Sequence, residues 1–212
     1  MVPASAIAAG VDFRGKGLRG VRPVLRATTV VMAIDAQWAG AEAQVDYSRY
    51  PAALVEDIVR LRRRIAQAGL PPRRTDANVV VGTWNLQKFG ALHQDWDESP
   101  GSPKRNLRCL AVIAEVVRCF DVVALQEVQR ETTALRVLME QFLGPHWAVL
   151  LSDVTEGDKG NSERLAYLYD TRRVVLSGLS GEIVLPPHPD GLPEQFDRTP
   201  YIAGFRAGQE HF

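Results

Sequence analysis

Two hydrophobic runs in the sequence lead directly into polar side chains with oxygen and nitrogen donors. The run VVVGTW leads into Asn85, and the run DVVAL leads through Gln126 into Glu127. In sheets with helical crossovers, the carboxyl ends of neighbouring strands open into one crevice where ligands bind. An amide and a carboxylate held there form a hard oxygen site of the kind that suits Mg²⁺. A simpler interpretation stays open, in which Glu127 is a solvated carboxylate and Asn85 caps a turn.

The elements that would position these residues are predicted from hydrophobic spacing and from helix and turn signals. An apolar stripe at helical spacing predicts a helix over residues 51–69, stopped by Gly69. Ser102-Pro103 and Thr132 or Thr133 are predicted to begin two further helices. Strands are predicted over 79–85, 121–125, 147–151, 165–169, 174–176, 182–185 and 201–205. Helices and strands alternate first and strands follow, which is typical of an α/β sandwich of packed sheets with helices outside.

The composition limits the classes of function and compartment. The chain has 212 residues, with Lys+Arg and Asp+Glu at 25 each, so it lacks the overall positive field of a non-specific nucleic-acid binder. Any site for a polyanion must therefore be local. Cys109 and Cys119 fall in one predicted helix, about 15 Å apart by helical rise, which is too far for a disulfide. We therefore expect a reducing, cytoplasmic compartment, with secretion as the open alternative, and no apolar run long enough to cross a bilayer.

The sequence divides into three parts by pattern. Residues 1–45 are poorly patterned and basic early, and we interpret them as a solvated, disordered tail in preference to a nucleic-acid contact. Residues 46–77 contain the amphipathic helix and a linker, and residues 78–212 form the organised domain.

Several motifs of the organised domain, taken in order, resemble the endonuclease/exonuclease/phosphatase superfamily, and within it the DNase I-like branch. They are VVVGTWNLQKFG, SPKRNLRCLAVIAEVVRCFDVVALQEVQ, DVTEGDKGNSERLAYLYDTRRV and FDRTPYIAGFRAG. The resemblance covers residues 78–212 and corresponds to the N-terminal half of such a domain. It implies a DNase I-like four-layer α-β-β-α sandwich, truncated here after roughly its first half.

The resemblance also assigns roles to individual residues. It implies that Asn85 lies beside the metal and the scissile phosphate and that Glu127 binds the metal, Mg²⁺ with Mn²⁺ or Ca²⁺ as alternatives. Glu163 stands where the family has a Glu that orients a catalytic His, and Arg198 where it has an Arg that contacts substrate phosphate. Gln129 stands where several relatives place a DNA-contacting Arg, so contact with DNA through that position is in doubt.

The general base of the family has no match in the sequence. Asp76-Ala77-Asn78 precedes the first predicted strand of the domain, and Ser152-Asp153 is followed by Val154 where the family has His. His93, His146 and His188 fall in loops or at a strand edge, and His211 is the second-to-last residue given. We therefore expect the missing His and Asp-x-Asn motif in a second half of the fold.

The expected function is that of a Mg²⁺-dependent phosphoester hydrolase, a DNase I-like endonuclease with DNA as the first choice of substrate. One alternative is a phosphomonoesterase or a lipid or inositol phosphate hydrolase of the same superfamily, because these enzymes share the motifs. Another is a non-catalytic interaction module that keeps the half-fold. The sequence leaves the oligomeric state open.

Overall fold

The computed structural model describes residues 47–74, 77–98, 100–154, 162–183 and 199–212, together with the backbone of residues 6–12 and 24–27. These residues form a mixed α/β structure with two sheets and few helices. In chain order the elements are β1 (Ala6–Asp12), β2 (Val24–Ala27), α1 (Ala52–Ile65), β3 (Asn78–Phe89), α2 (Leu107–Val117), β4 (Val122–Gln129), α3 (Thr133–Val137), β5 (Trp147–Leu151), β6 (Glu163–Asp170), β7 (Val175–Glu182), β8 (Tyr201–Ala207) and β9 (Glu210–His211).

The larger sheet has six strands in the order β2-β1-β3-β4-β6-β5. β3 and β4 are parallel, and the helix α2 connects them, as a parallel pair requires. β6 runs antiparallel to β4, and β5 antiparallel to β6. The carboxyl ends of β3 and β4 therefore lie at the same edge of the sheet as the start of β6. We call this edge the upper edge.

Helices cover one face of the larger sheet. Leu54 and Ile58 of α1 are buried together with Leu110 of α2 and with Trp84 and Leu125 of the sheet. The apolar stripe of α1 predicted this packing, and the helix ends in a short 3-10 turn before Gly69, whose φ is 70°. α3 continues into a π-helical turn over Leu138–Leu143 that packs on α2.

The second sheet, β7-β8-β9, packs on the other face of the larger sheet. Val79, Val122 and Tyr169 of the larger sheet form a cluster with Phe205 of β8. The Phe205 ring contacts the edges of Tyr167 and Tyr169 at centroid distances of 5.8 and 5.3 Å. The described residues thus stack as a helix layer, a sheet and a second sheet.

The segment 1–45, expected to be a disordered tail, contributes the backbone of β1 and β2. β1 pairs antiparallel with β3 from Asp12 opposite Asn78 to Ala6 opposite Trp84. The remaining residues of this segment lie outside the described part of the chain. The division of the chain into three parts stays a prediction.

The start of α2 differs from the sequence prediction. Asn106, not Ser102, is the N-cap residue, because its side chain accepts a hydrogen bond from the Cys109 N–H at 3.0 Å. The helix ends at Val117, so Cys119 lies beyond it. Neither cysteine is part of a disulfide.

A buried ion-pair network holds the lower edge of the larger sheet. Asp121 and Asp170 are fully buried at the start of β4 and the end of β6. Arg73 bridges their carboxylates, with Nε 2.7 Å from Asp121 and Nη2 2.5 Å from Asp170. Arg172 and Arg173 complete the network from the turn after β6. Residues distant in sequence are thereby tied at one end of β4 and β6.

Among the described helices, none has both the length and the apolar character needed to span a membrane.

Candidate functional site

Asn85 and Glu127 lie on adjacent parallel strands at the upper edge. The Cα of Asn85 is opposite that of Gln126, the residue before Glu127. The pairing of β3 with β4 is irregular between Asn85 and Phe89, and that of β4 with β6 is irregular between Leu125 and Val128. The prediction that β3 ends at Asn85 is therefore wrong in detail. Such bulges redirect side chains and are frequent beside active sites.

The backbone of Glu127 is in the left-handed region, with φ of 60°. This conformation costs a residue with a Cβ roughly 1–2 kcal/mol. Gln87, Lys88 and Ser162 also have positive φ, between 48° and 55°, and these are the non-glycine residues of the described chain that do so. All four lie at the upper edge. Strained residues of this kind concentrate where a fold positions functional groups.

Hydrogen bonds connect the two side chains to each other and to the bulge of β3. Asn85 Nδ2 donates to Glu127 Oε1 at 2.6 Å. The Lys88 N–H donates to Glu127 Oε2 at 3.2 Å, and the Gln87 N–H donates to Asn85 Oδ1 at 2.8 Å. The amide of Asn85 is thus oriented with its nitrogen toward the carboxylate.

Arg105 lies behind the bulge and is buried, with 8% of its surface exposed. Its Nη2 donates to the carbonyl oxygens of Leu86 and, at 2.6 Å, Gln87. Its guanidinium carbon lies 5.8 Å from the centre of the Phe89 ring. Burial lowers the pKa of the Arg105 guanidinium from its ordinary value. Sequence analysis missed this residue, because an arginine in a polar loop has no spacing signal.

Glu163 begins β6, two strands from Asn85, and is buried with 8% of its surface exposed. It is paired in register with Gln129, whose Nε2 lies 3.5 Å from Glu163 Oε1. Gly90 permits the close approach of β3, because a Cβ there would lie 2.6 Å from Gln129 Cβ. The structure therefore places Asn85, Glu127 and Glu163 along one edge, while their assigned roles stay predictions.

The remaining predicted residues are not brought into this site by the described structure. Arg198 and His188 lie outside the described residues. His93 forms an isolated β-bridge with Asn106, and His211 belongs to the second sheet. The main-chain carbonyl of His146 accepts a hydrogen bond from the Thr171 hydroxyl at the lower edge. None of these three histidines is on β3, β4 or β6.

The carboxylate of Glu127 offers oxygen donors of the kind that a hard divalent cation takes. A carboxylate offers about four lone-pair directions, and the N–H groups of Asn85 and Lys88 use two of them. Mg²⁺ is commonly held through one or two carboxylates and keeps several waters. In the described part of the chain, no group of three or more His, Cys, Asp or Glu residues is placed to hold a metal.

No family model matches the sequence, and no curated protein matches it either. The superfamily resemblance therefore rests on the motifs themselves and stays a prediction.

Proposed function

We propose that the upper edge is part of the active site of a Mg²⁺-dependent phosphoester hydrolase, of the DNase I-like type, that cleaves phosphodiester bonds in DNA. The observation that carries the proposal is the contact between Asn85 and Glu127, each at an irregular point of its strand. The motif order in residues 78–212 supports the superfamily. The helix layer and two sheets of the described residues support an α-β-β order of layers, on which the proposed four-layer α-β-β-α sandwich rests.

Each of four residues of the chain has a separate role in the proposed phosphoester hydrolysis. Glu127 would hold the metal, which when bound supplies Lewis acidity to a phosphoryl oxygen. The Asn85 amide has two N–H donors, and one is used by Glu127. The other is left to donate to a non-bridging phosphate oxygen, where charge develops. Arg198 would add the forked donors of a guanidinium. Glu163 would orient a histidine that acts as the general base.

The metal role of Glu127 is tested by titrating the chain with Mn²⁺ and following the electron paramagnetic resonance signal of the unbound ion. Glu127→Gln keeps the shape of the side chain and removes its charge, so we expect it to weaken Mn²⁺ binding at least about 10-fold. Glu131→Gln is the matched control, because Glu131 is exposed and only four residues away. Equal affinity in the two variants would remove Glu127 from the metal site.

Activity is tested on supercoiled plasmid, RNA, inositol phosphates and phosphomonoesters. We expect the 212-residue chain to show no turnover, because the three described histidines lie off β3, β4 and β6, and loss of a general base costs about 10²–10⁴-fold. A longer chain that carries a His, an Asp-x-Asn and a Ser-Asp-His motif should nick the plasmid and lose activity on Glu127→Gln. Cleavage of phosphomonoesters or inositol phosphates alone would favour the alternative hydrolases. No hydrolysis by the longer chain would favour an interaction module.

A further inference from the structure

Arg105 contacts the main chain of the β3 bulge that follows Asn85. Its guanidinium donates to the carbonyl oxygens of two consecutive residues, Leu86 and Gln87. A third donor, Nη1, contacts the carbonyl of Lys104 at 2.9 Å. The side chain is buried, and its guanidinium lies over the ring of Phe89. A buried guanidinium with several fixed donors has little freedom to move.

The two carbonyls that Arg105 holds belong to the same peptide groups as the two N–H donors of the site. The Leu86 carbonyl and the Gln87 N–H form one planar trans peptide, and the Gln87 carbonyl and the Lys88 N–H form the next. In a trans peptide the C=O and N–H bonds point in opposite directions. Fixing each carbonyl therefore fixes the direction of the N–H on the other side.

Those N–H groups hold the side chains of the proposed site. The Gln87 N–H donates to Asn85 Oδ1, and the Lys88 N–H donates to Glu127 Oε2. A charged donor on a carbonyl also polarises the peptide and strengthens its N–H as a donor. We propose that Arg105 is a positioning residue that orients Asn85 and Glu127 through the two peptide groups of Leu86–Gln87 and Gln87–Lys88.

This inference rests on the proposed function for one of its two measurements, the affinity for Mn²⁺. The other measurement, the nuclear magnetic resonance spectrum of the site, is independent of the proposed function. The test compares Arg105→Lys and Arg105→Met with the parent chain. Lys keeps the charge but lacks the planar fork that spans two carbonyls. Met is apolar and close to Arg in length, and it removes the guanidinium. Arg118→Lys and Arg118→Met are matched controls, since Arg118 is also buried and also donates to a main-chain carbonyl, that of Phe142.

The first readout is the nuclear magnetic resonance spectrum of the site. We expect both Arg105 variants to shift the amide signals of Gln87 and Lys88 and the side-chain amide signals of Asn85, and the Arg118 variants to leave them in place. The second readout is Mn²⁺ affinity, which should fall about 10-fold in the Arg105 variants alone, the usual effect of losing an outer partner of a metal ligand.

The two proposals fail in different ways. Unchanged Gln87, Lys88 and Asn85 signals in both Arg105 variants would overturn the positioning role. Absence of Mn²⁺ binding by the parent chain would count against the metal site, and the resonance comparison would still decide the role of Arg105. Shifts of the same Gln87, Lys88 and Asn85 signals in the Arg118 variants would show a general loosening of the core and would also overturn the inference.

Discussion

The side-chain amide of Asn85 donates to the carboxylate of Glu127 across two parallel strands at 2.6 Å. Asn85→Asp would place a second carboxylate at this distance, where like charges repel. We expect a loss of about 1–2 kcal/mol in the free energy of unfolding at pH 7. Because a divalent cation neutralises both charges, millimolar Mg²⁺ should raise the melting temperature of the variant more than that of the parent.

The measurement is thermal unfolding of both proteins with and without Mg²⁺. Asn85→Ser serves as the control, because it removes the hydrogen bond without adding charge. An Asp variant that Mg²⁺ stabilises no more than the Ser variant would contradict a cation site at this pair.

The left-handed conformation of Lys88 gives a second prediction. Its φ is 49° and its side chain is exposed, so Lys88→Gly removes backbone strain without removing buried contacts. We expect a gain of about 0.5–1 kcal/mol in stability, measured by urea unfolding. Arg63→Gly, at an exposed position of α1, should instead lose about 1 kcal/mol. A similar loss in both variants would place Lys88 in an ordinary backbone conformation.

The buried carboxylate of Asp170 makes stability depend on pH. Burial raises the pKa of this carboxyl, but hydrogen bonds from Arg172 and Arg73 outweigh burial, and the net pKa is lowered. A lowered pKa in the folded state contributes stability above the unfolded pKa of about 3.9, and that stability is lost as the pH falls through the folded value. Asp170→Asn should therefore cost about 3 kcal/mol at pH 7 and much less in strong acid.

Urea unfolding of the parent and the variant at several pH values measures this difference. Asp97→Asn is the control, because Asp97 is 74% exposed and its pair with Arg108 should contribute under about 1 kcal/mol. A cost of Asp170→Asn that stays constant from pH 7 to strong acid would show that the ionised carboxylate contributes nothing.

Gly82 on β3 is predicted to be intolerant of a side chain. A Cβ there would lie 2.7 Å from the ring of Phe120, which is buried between the sheet and α2. Gly82→Ala should lose about 1–3 kcal/mol through overpacking. Gly181→Ala on β7 is the matched control, since nothing lies within 4 Å of its added Cβ. Equal melting temperatures of the two variants would contradict the described contact with Phe120.

The sequence predicts those parts of the fold that depend on local periodicity. Apolar spacing predicts the stripe of α1 and the strand Trp147–Leu151. The parallel pairing of β3 and β4 follows from the helix that connects them. The placement of Asn85 beside Glu127 follows from the same rule, because parallel strands joined by a helix end at the same edge.

The remaining features depend on contacts between distant residues. Glycine is the usual sequence signal of a bulge or a left-handed residue. The bulges here lie at Asn85 and Glu127, and the left-handed residues include Gln87 and Lys88, so that signal is absent. Arg105 and Leu86 are 19 residues apart in the sequence, so no local pattern predicts their contact. The sequence predicts too early a start for α2, because Ser102-Pro103 has the composition of a helix start, whereas Asn106 makes the capping bond.

Buried charges fasten chain segments at both edges of the larger sheet. At the lower edge Arg73 pairs with Asp121 and Asp170, so a change in the length of these connections would leave a buried ion without its partner. At the upper edge the connection that begins at Gly90 ends on Arg105, which is buried and donates to the main chain of the β3 bulge. Most of the described side chains between Gly90 and Arg105 are exposed, so their composition can change, and a new specificity can arise there, while the sheet beneath stays intact.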